Sequence, residues 1–170
     1  MINYLATQKN WQNAFSDTIT SFAELAQALD LPIDSFDSQV GQFPLKVPRR
    51  FVQNMGKGDI HDPLLKQVLP TFLETVQVTG FVTDPLDEQH ANPVKGIIHK
   101  YASRVLIPVT GACVVNCRYC FRQHFDYHEN LPTQNDWQAI SAYITAHPAV
   151  NEVILSGGDP LNVTNRRLFA

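Results

Sequence analysis

Hydrophobic residues recur at helical spacing in the first part of the chain. Four apolar side chains lie three or four positions apart and share one helical face: Phe22, Leu25, Ala26 and Leu29. Ser21 precedes them as a candidate N-cap. This pattern predicts a helix that begins after Ser21 and ends before Pro32.

The rest of this region has weaker signals. Residues 1–17 show no clear period, and residues 32–60 are rich in Pro, Asp, Gly and Gln, which predicts mostly loop. Asp62-Pro63 is typical of a helix start, with a capping side chain followed by proline at the first helical position. A short apolar face follows it and ends at a proline: Leu64, Leu65, Val68, Leu69 and then Pro70.

From about Ile97 onward the pattern is that of an α/β protein. Residues 104–109 and 152–155 are short apolar, β-branched runs, which predict two buried strands. Asp136 is a candidate cap for the helix between them, whose apolar face is Trp137, Ile140, Tyr143 and Ile144 and which ends at His147-Pro148. Strand, helix and strand in this order predict a βαβ unit. We therefore expect an α/β fold in residues 96–170, a lead-in region in residues 1–95, and the start of another helix at residues 162–170.

Composition excludes several classes of protein. The chain has 170 residues, 44% of them hydrophobic, which is enough for one ordinary domain. Only 17% are charged and the net charge is -3, which argues against binding to nucleic acid through bulk positive charge. No apolar run has the roughly 20 residues of a membrane span, and the first residues lack the pattern of a signal peptide. The expectation is a soluble, cytoplasmic protein without nucleic-acid or membrane partners.

All 3 cysteines lie in one short segment, with the spacing Cys113-x3-Cys117-x2-Cys120. A clustered, odd set is a poor disulfide framework and indicates a metal site. Three thiolates can hold an iron–sulfur cubane and leave one iron open to bind a small molecule. The alternative is a Cys3His zinc site with His124 or His128 as the fourth ligand.

The position of the cysteines favours the cluster. They follow the first predicted strand, and the loop Ser156-Gly157-Gly158-Asp159 follows the second. Loops after parallel strands meet at one edge of the sheet, where α/β proteins bind ligands. The two glycines allow close approach of the backbone to a ligand, and Asp159 offers a carboxylate to an amino group.

The motifs resemble those of the lysine 2,3-aminomutase family of the radical S-adenosylmethionine (SAM) superfamily. The resemblance covers about residues 20–165 and is carried by these segments: LIPVTGACVVNCRYCFRQHF, SGGDPL, FPLKVP, DPLLKQ and GFVTDPLDEQH. Within the family, the chain is most similar to the enzymes that supply β-lysine for modification of elongation factor P. The fold implied is the beginning of a radical SAM partial (β/α) barrel, after a mainly helical and loop lead-in.

The resemblance implies an isomerase that converts L-lysine into β-lysine. A [4Fe-4S] cluster and S-adenosyl-L-methionine supply a 5′-deoxyadenosyl radical, which removes a hydrogen from the substrate, and pyridoxal phosphate (PLP) assists migration of the amino group from carbon 2 to carbon 3. An electron donor such as flavodoxin or ferredoxin is also implied. A radical SAM enzyme without PLP, or a zinc module without catalysis, remains an alternative.

Individual roles follow from the same resemblance. It implies that Cys113, Cys117 and Cys120 ligate the cluster. Four residues at the end of the second strand and one aromatic residue before the third cysteine are implied to contact SAM: Ser156, Gly157, Gly158, Asp159 and Tyr119. Arg122 matches the arginine that binds the substrate carboxylate, and its planar fork of donors suits that group. Lys100 and Arg104 stand where the family has basic residues near the PLP phosphate, although an arginine is expected in place of Lys100.

Some of the family's residues have no match in this sequence. The family needs a lysine for PLP and two aspartates for the substrate ammonium, which lie in its carboxyl-terminal half, and none of the lysines here has that glycine-rich context. We therefore expect this chain to be the amino-terminal part of an aminomutase. Alone, it is expected to be inactive as an aminomutase. It is also expected to be marginally stable, because parallel strands need neighbouring strands on both sides.

Overall fold

The computed structural model describes residues 16–37, 41 and 43–164. Its contacts divide the chain into two compact units, one with residues 1–79 and Val114–Cys120 and the other with Gly80–Cys113 and residues 121–170. The domain boundary expected at residue 95 stays a prediction. The predicted irregularity of residues 1–17 and the predicted helix start at residues 162–170 fall largely outside the described residues. Within those residues, no helix is long and apolar enough to cross a membrane.

The first unit packs two short helices, a two-stranded sheet and several turns around an apolar core. Strands β1 (Thr18–Ile19) and β2 (Val47–Pro48) pair antiparallel, with helix α1 (Phe22–Ala28) between them in sequence and helix α2 (Arg49–Val52) directly after β2. A 3-10 turn at Ile33–Ser35 lies between α1 and β2, and two more follow α2 at Leu65–Gln67 and Phe72–Thr75. The core is formed by buried side chains from both strands, both helices, the turn Leu65–Gln67 and the segments that adjoin them: Ile19, Leu25, Ala26, Leu29, Phe36, Leu45, Val47, Val52, Met55, Leu65, Val68 and Leu69.

The structure confirms the first predicted helix and corrects its surroundings. Helix α1 has Ser21 at its N-cap position, but the Ser21 side chain makes no capping hydrogen bond. Asp62 does cap: its Oδ1 accepts the backbone N–H groups of Leu64 and Leu65 at 2.8 and 2.9 Å. The prediction that the segment from residue 32 to residue 60 is mostly loop is confirmed, although the short elements β2 and α2 lie there and supply core side chains.

The second unit contains the predicted βαβ arrangement. Strand β4 (Arg104–Thr110) pairs antiparallel with β3 (Ile98–Tyr101) and parallel with β5 (Glu152–Gly157), so the order is β3-β4-β5. Between β4 and β5 lie helices α3 (Tyr127–Asn130) and α4 (Asp136–Ala146). A right-handed crossover helix is the usual link between parallel strands. The α/β fold class is therefore confirmed.

Strand β4 is central and almost fully buried, as its apolar sequence predicts. Val105, Ile107 and Val109 pack with Ile97 and with Ile140 of α4 to form the core of this unit. Beside them, an open apolar groove is lined by residues of α4 and β5 that include Trp137, Val153 and Leu155. Parallel sheets normally have both faces covered.

Two details of the second unit differ from the predictions. Asp136 is the first residue of α4 rather than its cap, and Asn135 holds the N-cap position. The Asp136 carboxylate accepts the backbone N–H and the hydroxyl of Thr133, each at 2.7 Å, and these bonds lower the pKa of Asp136. Strand β5 also continues to Gly157, so that Ser156 lies within the strand instead of in the loop.

Candidate functional site

Two loops begin side by side at the carboxyl ends of β4 and β5. Thr110 and Gly157 are partners in the parallel register, and the backbone N–H of Gly158 donates to the Thr110 carbonyl at 2.7 Å. One step further, the N–H of Asp159 donates to the Ala112 carbonyl at 2.9 Å. The prediction that the segment leading to Cys113 and the Gly-Gly-Asp segment meet at one edge of the sheet is thus confirmed.

This close approach of the two backbones requires both glycines. Gly157 has φ +112°, and a Cβ atom there would lie 2.3 Å from the Thr110 carbonyl oxygen. At Gly158, a Cβ atom would lie 2.4 Å from the Ala112 carbonyl oxygen. Neither position has space for a side chain, so the pair of glycines is needed for folding whatever else it binds.

Asp159 follows at the start of the 3-10 turn Pro160–Asn162. Its Oδ1 accepts the backbone N–H of Leu161 at 3.0 Å, which orients the carboxylate at the end of β5. Such a side-chain cap is common before a proline-initiated turn. Asp159 is of intermediate burial and directly follows the two glycines in the chain.

The segment Val114–Cys120 belongs to the first unit and is bound there by its backbone. The N–H of Asn116 donates to the Lys46 carbonyl at 2.9 Å, and the N–H of Arg118 donates to the Gln67 carbonyl at 2.8 Å. Cys117 and Cys120 therefore lie on a segment with fixed partners, while Cys113 is the last residue of the β4 loop in the second unit.

Arg118 is the main side-chain anchor of this segment. Its guanidinium forms a bidentate ion pair with Glu74: Nε donates to Oε1 at 2.8 Å, and Nη2 donates to Oε2. Nη1 and Nη2 also donate to the Phe43 carbonyl, each at 3.1 Å. Because both charged side chains are mostly buried, the loss of either leaves an uncompensated charge.

We predict that Arg118→Met lowers the free energy of unfolding of the first unit by about 3–5 kcal/mol, the usual cost of breaking a buried ion pair. Urea unfolding of the purified chain measures this change. The matched control is Lys57→Met, which removes the exposed Lys57–Asp30 pair and should cost less than about 1 kcal/mol. Equal losses in the two variants would contradict the anchoring role.

The three cysteines are thiols of intermediate burial, and their chemistry fits a thiolate-ligated metal centre. Burial raises the pKa of the Cys117 thiol, and the neighbouring Cys120 raises it further. Ligation of a metal by Cys117 therefore releases a proton. Among the described residues, no three His, Cys, Asp or Glu side chains already form a group that could hold a metal ion.

The histidines of the zinc alternative lie on the exposed surface of the second unit. His124 is exposed, and the ring of the exposed His128 contacts Glu129, with Nδ1 and Oε1 3.0 Å apart. Tyr119, the candidate SAM contact in the first unit, also has an exposed side chain.

Arg122 lies in a buried ion pair that the sequence did not reveal. Its Nε donates to Oε2 of Glu88 at 2.8 Å, and its Nη2 donates to Oε1 at 2.6 Å. Nη1 donates to the Ser156 hydroxyl at 3.0 Å, and the guanidinium lies over the ring of Phe121, 4.9 Å from its centroid. Arg122 is 8% exposed and Glu88 is 4% exposed. Ser156 is thus brought to Arg122, the candidate substrate residue.

No signal in the single sequence identifies Glu88. It stands 34 positions before Arg122, in a segment of turn residues, and its carboxylate is one of many in the chain. Only the folded second unit brings these two residues together.

Lys100 and Arg104, the candidate phosphate contacts, both have partners within the second unit. The Lys100 ammonium donates to the Leu86 carbonyl, and Arg104 forms a half-exposed ion pair with Glu152, its neighbour in the β4–β5 register, at 3.2 Å. Both are cations at the surface, so an anionic phosphate is chemically compatible with them. At Arg104 it would compete with the Glu152 carboxylate.

Comparison with known proteins identifies relatives over nearly the whole chain. L-lysine 2,3-aminomutase of Haemophilus influenzae is 44% identical over 164 residues, which cover 95% of this chain and 48% of that protein. The enzyme of the same name from Escherichia coli is 43% identical over 166 residues, which again cover 95% of this chain and 48% of that protein. That of Clostridium subterminale is 30% identical over 168 residues, which cover 96% of this chain and 40% of that protein. No family model matches the chain.

The chain spans about half the length of the curated relatives it matches. Identity at this level and over this share of the chain is sufficient to assign descent, and it agrees with the motifs at the cysteines and at the end of β5. The chain belongs to the lysine 2,3-aminomutase family.

Proposed function

We propose that the complete protein carrying this chain is a radical SAM isomerase that converts L-lysine into β-lysine. The observation that carries the proposal is that the segment leading to Cys113 and the Ser-Gly-Gly-Asp segment lie side by side at the ends of the parallel strands β4 and β5. The relatives named L-lysine 2,3-aminomutase, which match 95% of this chain, also support it.

In this proposal Cys113, Cys117 and Cys120 act as thiolates that hold a [4Fe-4S] cluster. When bound, the cluster, SAM and PLP would supply the radical chemistry that side chains cannot perform. The protein's part is to bind the reactants, orient them and exclude water. The donor set of three thiols supports the proposal, because three thiolates can hold a cubane cluster and leave one iron open, whereas a structural zinc site needs a fourth ligand.

The end of β5 is proposed to hold the methionine end of SAM. Gly157 and Gly158 present only backbone to the ligand, and the Asp159 carboxylate would bind the amino group of SAM by a charge-assisted hydrogen bond. Tyr119 would contribute an aromatic contact. The position of this segment at the end of β5 supports the assignment, because α/β proteins bind ligands at the carboxyl ends of their parallel strands.

The amino-acid substrate is proposed to bind Arg122 through its carboxylate. Lys100 and Arg104 are proposed to lie near the phosphate of PLP. The lysine that binds PLP and the aspartates that bind the substrate ammonium are proposed to lie in the part of the protein outside this chain. The open apolar groove beside β5 supports the idea that more structure packs there. This chain alone is proposed to be inactive.

The biological context is also a proposal. The product β-lysine would serve modification of elongation factor P, and a small electron-transfer protein such as flavodoxin or ferredoxin would reduce the cluster in the cytoplasm. Both follow from the family resemblance of the motifs.

The test uses the complete protein, reconstituted without oxygen with iron, sulfide, SAM, PLP and a reductant. We expect L-lysine to be converted into β-lysine, detected by chromatography with mass spectrometry, and conversion to stop when either SAM or PLP is omitted. A reconstituted protein with a full cluster and no product would overturn the aminomutase proposal. A protein that binds one zinc ion and no cluster would favour the zinc module instead.

A further inference from the structure

The ion pair between Arg122 and Glu88 restricts how Arg122 can bind a carboxylate. A guanidinium binds a carboxylate best by two parallel hydrogen bonds, and the Nε–Nη2 edge of Arg122 already makes them to Glu88. A substrate could take this edge only by displacing a buried carboxylate from its partner, which leaves Glu88 charged and unpaired. That displacement is unfavourable.

The other end of the guanidinium lies beside Ser156. Nη1 donates to the Ser156 hydroxyl, and a hydroxyl that accepts one hydrogen bond can donate its own proton to a second group. A carboxylate placed next to Nη1 could accept from both the guanidinium and the hydroxyl. Because Ser156 lies at the carboxyl end of β5, such a carboxylate would sit at the edge of the sheet where the two loops begin.

Glu88 is itself held firmly by the turn that precedes it. The carboxylate of Asp84 accepts the backbone N–H groups of Glu88 and Gln89, each at 3.1 Å. Burial acts to raise the pKa of Asp84, but these hydrogen bonds and the charge of Lys100 hold it below its ordinary value. Lys100 also donates to the Leu86 carbonyl within the turn. The backbone position of Glu88 is therefore fixed independently of Arg122.

From this arrangement we propose that Ser156 recognises the carboxylate of the amino-acid substrate together with Arg122, and that Glu88 is a positioning residue that fixes the plane of the guanidinium. The proposal rests on the proposed function. It assigns Ser156 to binding of the amino-acid substrate instead of to binding of SAM. In addition, Lys100 stabilises the turn that precedes Glu88 through its hydrogen bond to the Leu86 carbonyl.

The kinetic test compares Ser156→Ala with the complete wild-type protein. Ser156→Ala is expected to raise KM for L-lysine roughly tenfold, the effect of one hydrogen bond to a charged group, and to leave kcat and KM for SAM within about twofold. An increase in KM for SAM with KM for L-lysine unchanged would overturn the assignment of Ser156. This variant removes no charge, so it tests the proposal even if changes at Glu88 impair folding.

The positioning role is tested with Glu88→Gln and the matched control Glu129→Gln, which changes an exposed glutamate of α3. Glu88→Gln is expected to lower kcat as well as kcat/KM, because a substrate bound to the released Nε edge is misplaced for reaction. Glu129→Gln should have wild-type kinetics. Wild-type kinetics in Glu88→Gln would overturn the positioning role.

A spectroscopic measurement on this chain separates failure of the inference from failure of the proposed function. In NMR spectra, the Nε–H of Arg122, assigned by its loss in Arg122→Lys, should exchange slowly with water because Glu88 accepts it in a buried site. Fast exchange in Glu88→Gln and slow exchange in Glu129→Gln are expected. Slow exchange in both would overturn the role of Glu88. A wild-type protein without aminomutase activity would overturn the proposed function and the substrate role of Ser156, whatever the spectra show.

Discussion

Replacement of any one of the three cysteines by alanine is expected to abolish iron–sulfur cluster formation in this chain. A cubane held by three protein thiolates cannot be retained by two, since each thiolate is a ligand of a different iron. After anaerobic reconstitution, the wild-type chain should show the broad visible absorbance of a thiolate-ligated cluster. Cys113→Ala, Cys117→Ala and Cys120→Ala should each lose nearly all of it.

The same variants should remain folded, so that loss of the cluster is not confused with unfolding. The thiols are of intermediate burial, and alanine in place of a partly buried cysteine removes little apolar surface. We expect their far-UV circular dichroism and urea midpoints to stay near those of the wild-type chain before reconstitution.

His124→Ala and His128→Ala are the controls that separate the cluster from a Cys3His zinc site. Both histidines are exposed, and neither is needed by a three-cysteine cluster, so both variants should keep full absorbance. A zinc site would require one of them as its fourth ligand. Retained absorbance in a cysteine variant, or a large loss of zinc affinity in a histidine variant, would contradict the assignment of the metal centre.

The elements that the sequence predicted correctly are those with a clear local period. Helix α1 and the unit of β4, α4 and β5 follow from apolar spacing, because burial of one face dictates that spacing. The meeting of the two loops at one edge of the sheet follows from the parallel direction of the strands. A residue pattern and one topological rule were sufficient for this part of the site.

Other elements have no local signal. Strand β3 has the sequence Ile-His-Lys-Tyr, which lacks clear alternation, and it is defined by its antiparallel partner β4. The short strand β2 and helix α2 lie in a segment rich in loop-forming residues, and tertiary packing of Val47 and Val52 determines their structure.

The long-range ion pairs were equally outside the reach of sequence reasoning. Arg118 and Glu74 are 44 positions apart, and Arg122 and Glu88 are 34 positions apart. Two arginines near the cysteines could equally have been surface charges. Their burial depends on the fold of each unit, which the spacing of residues along the chain does not reveal.

A second large effect is expected at Gly157. Alanine there would place a Cβ atom 2.3 Å from the Thr110 carbonyl oxygen and would hold a non-glycine residue at φ +112°. The oxygen cannot easily move away, because it accepts the N–H of Gly158 at 2.7 Å and belongs to the buried strand β4. We expect Gly157→Ala to lower the free energy of unfolding of the second unit by about 3 kcal/mol or more, from overpacking and backbone strain together.

Gly80→Ala is the matched control for the backbone contribution. Gly80 also has a left-handed φ, +88°, but no atom lies within 4 Å of the position of its Cβ. Its substitution should therefore cost only about 1–2 kcal/mol, the penalty for a left-handed residue. Gly158→Ala complements it, since its Cβ would lie 2.4 Å from the Ala112 carbonyl oxygen while its φ lies outside the left-handed region.

Urea unfolding of Gly157→Ala, Gly80→Ala and Gly158→Ala separates the steric contribution from the contribution of backbone strain. The result also decides which variant can test the proposed SAM site. If Gly157→Ala and Gly80→Ala lose equal free energy, the close contact with β4 is not the cause, and the packing argument fails. If Gly157→Ala loses the larger amount, weaker SAM binding in that variant follows from a disturbed strand end and does not measure contact with the ligand. In that case Asp159→Asn, which retains an oxygen that can accept the N–H of Leu161, becomes the informative variant for recognition of the SAM amino group.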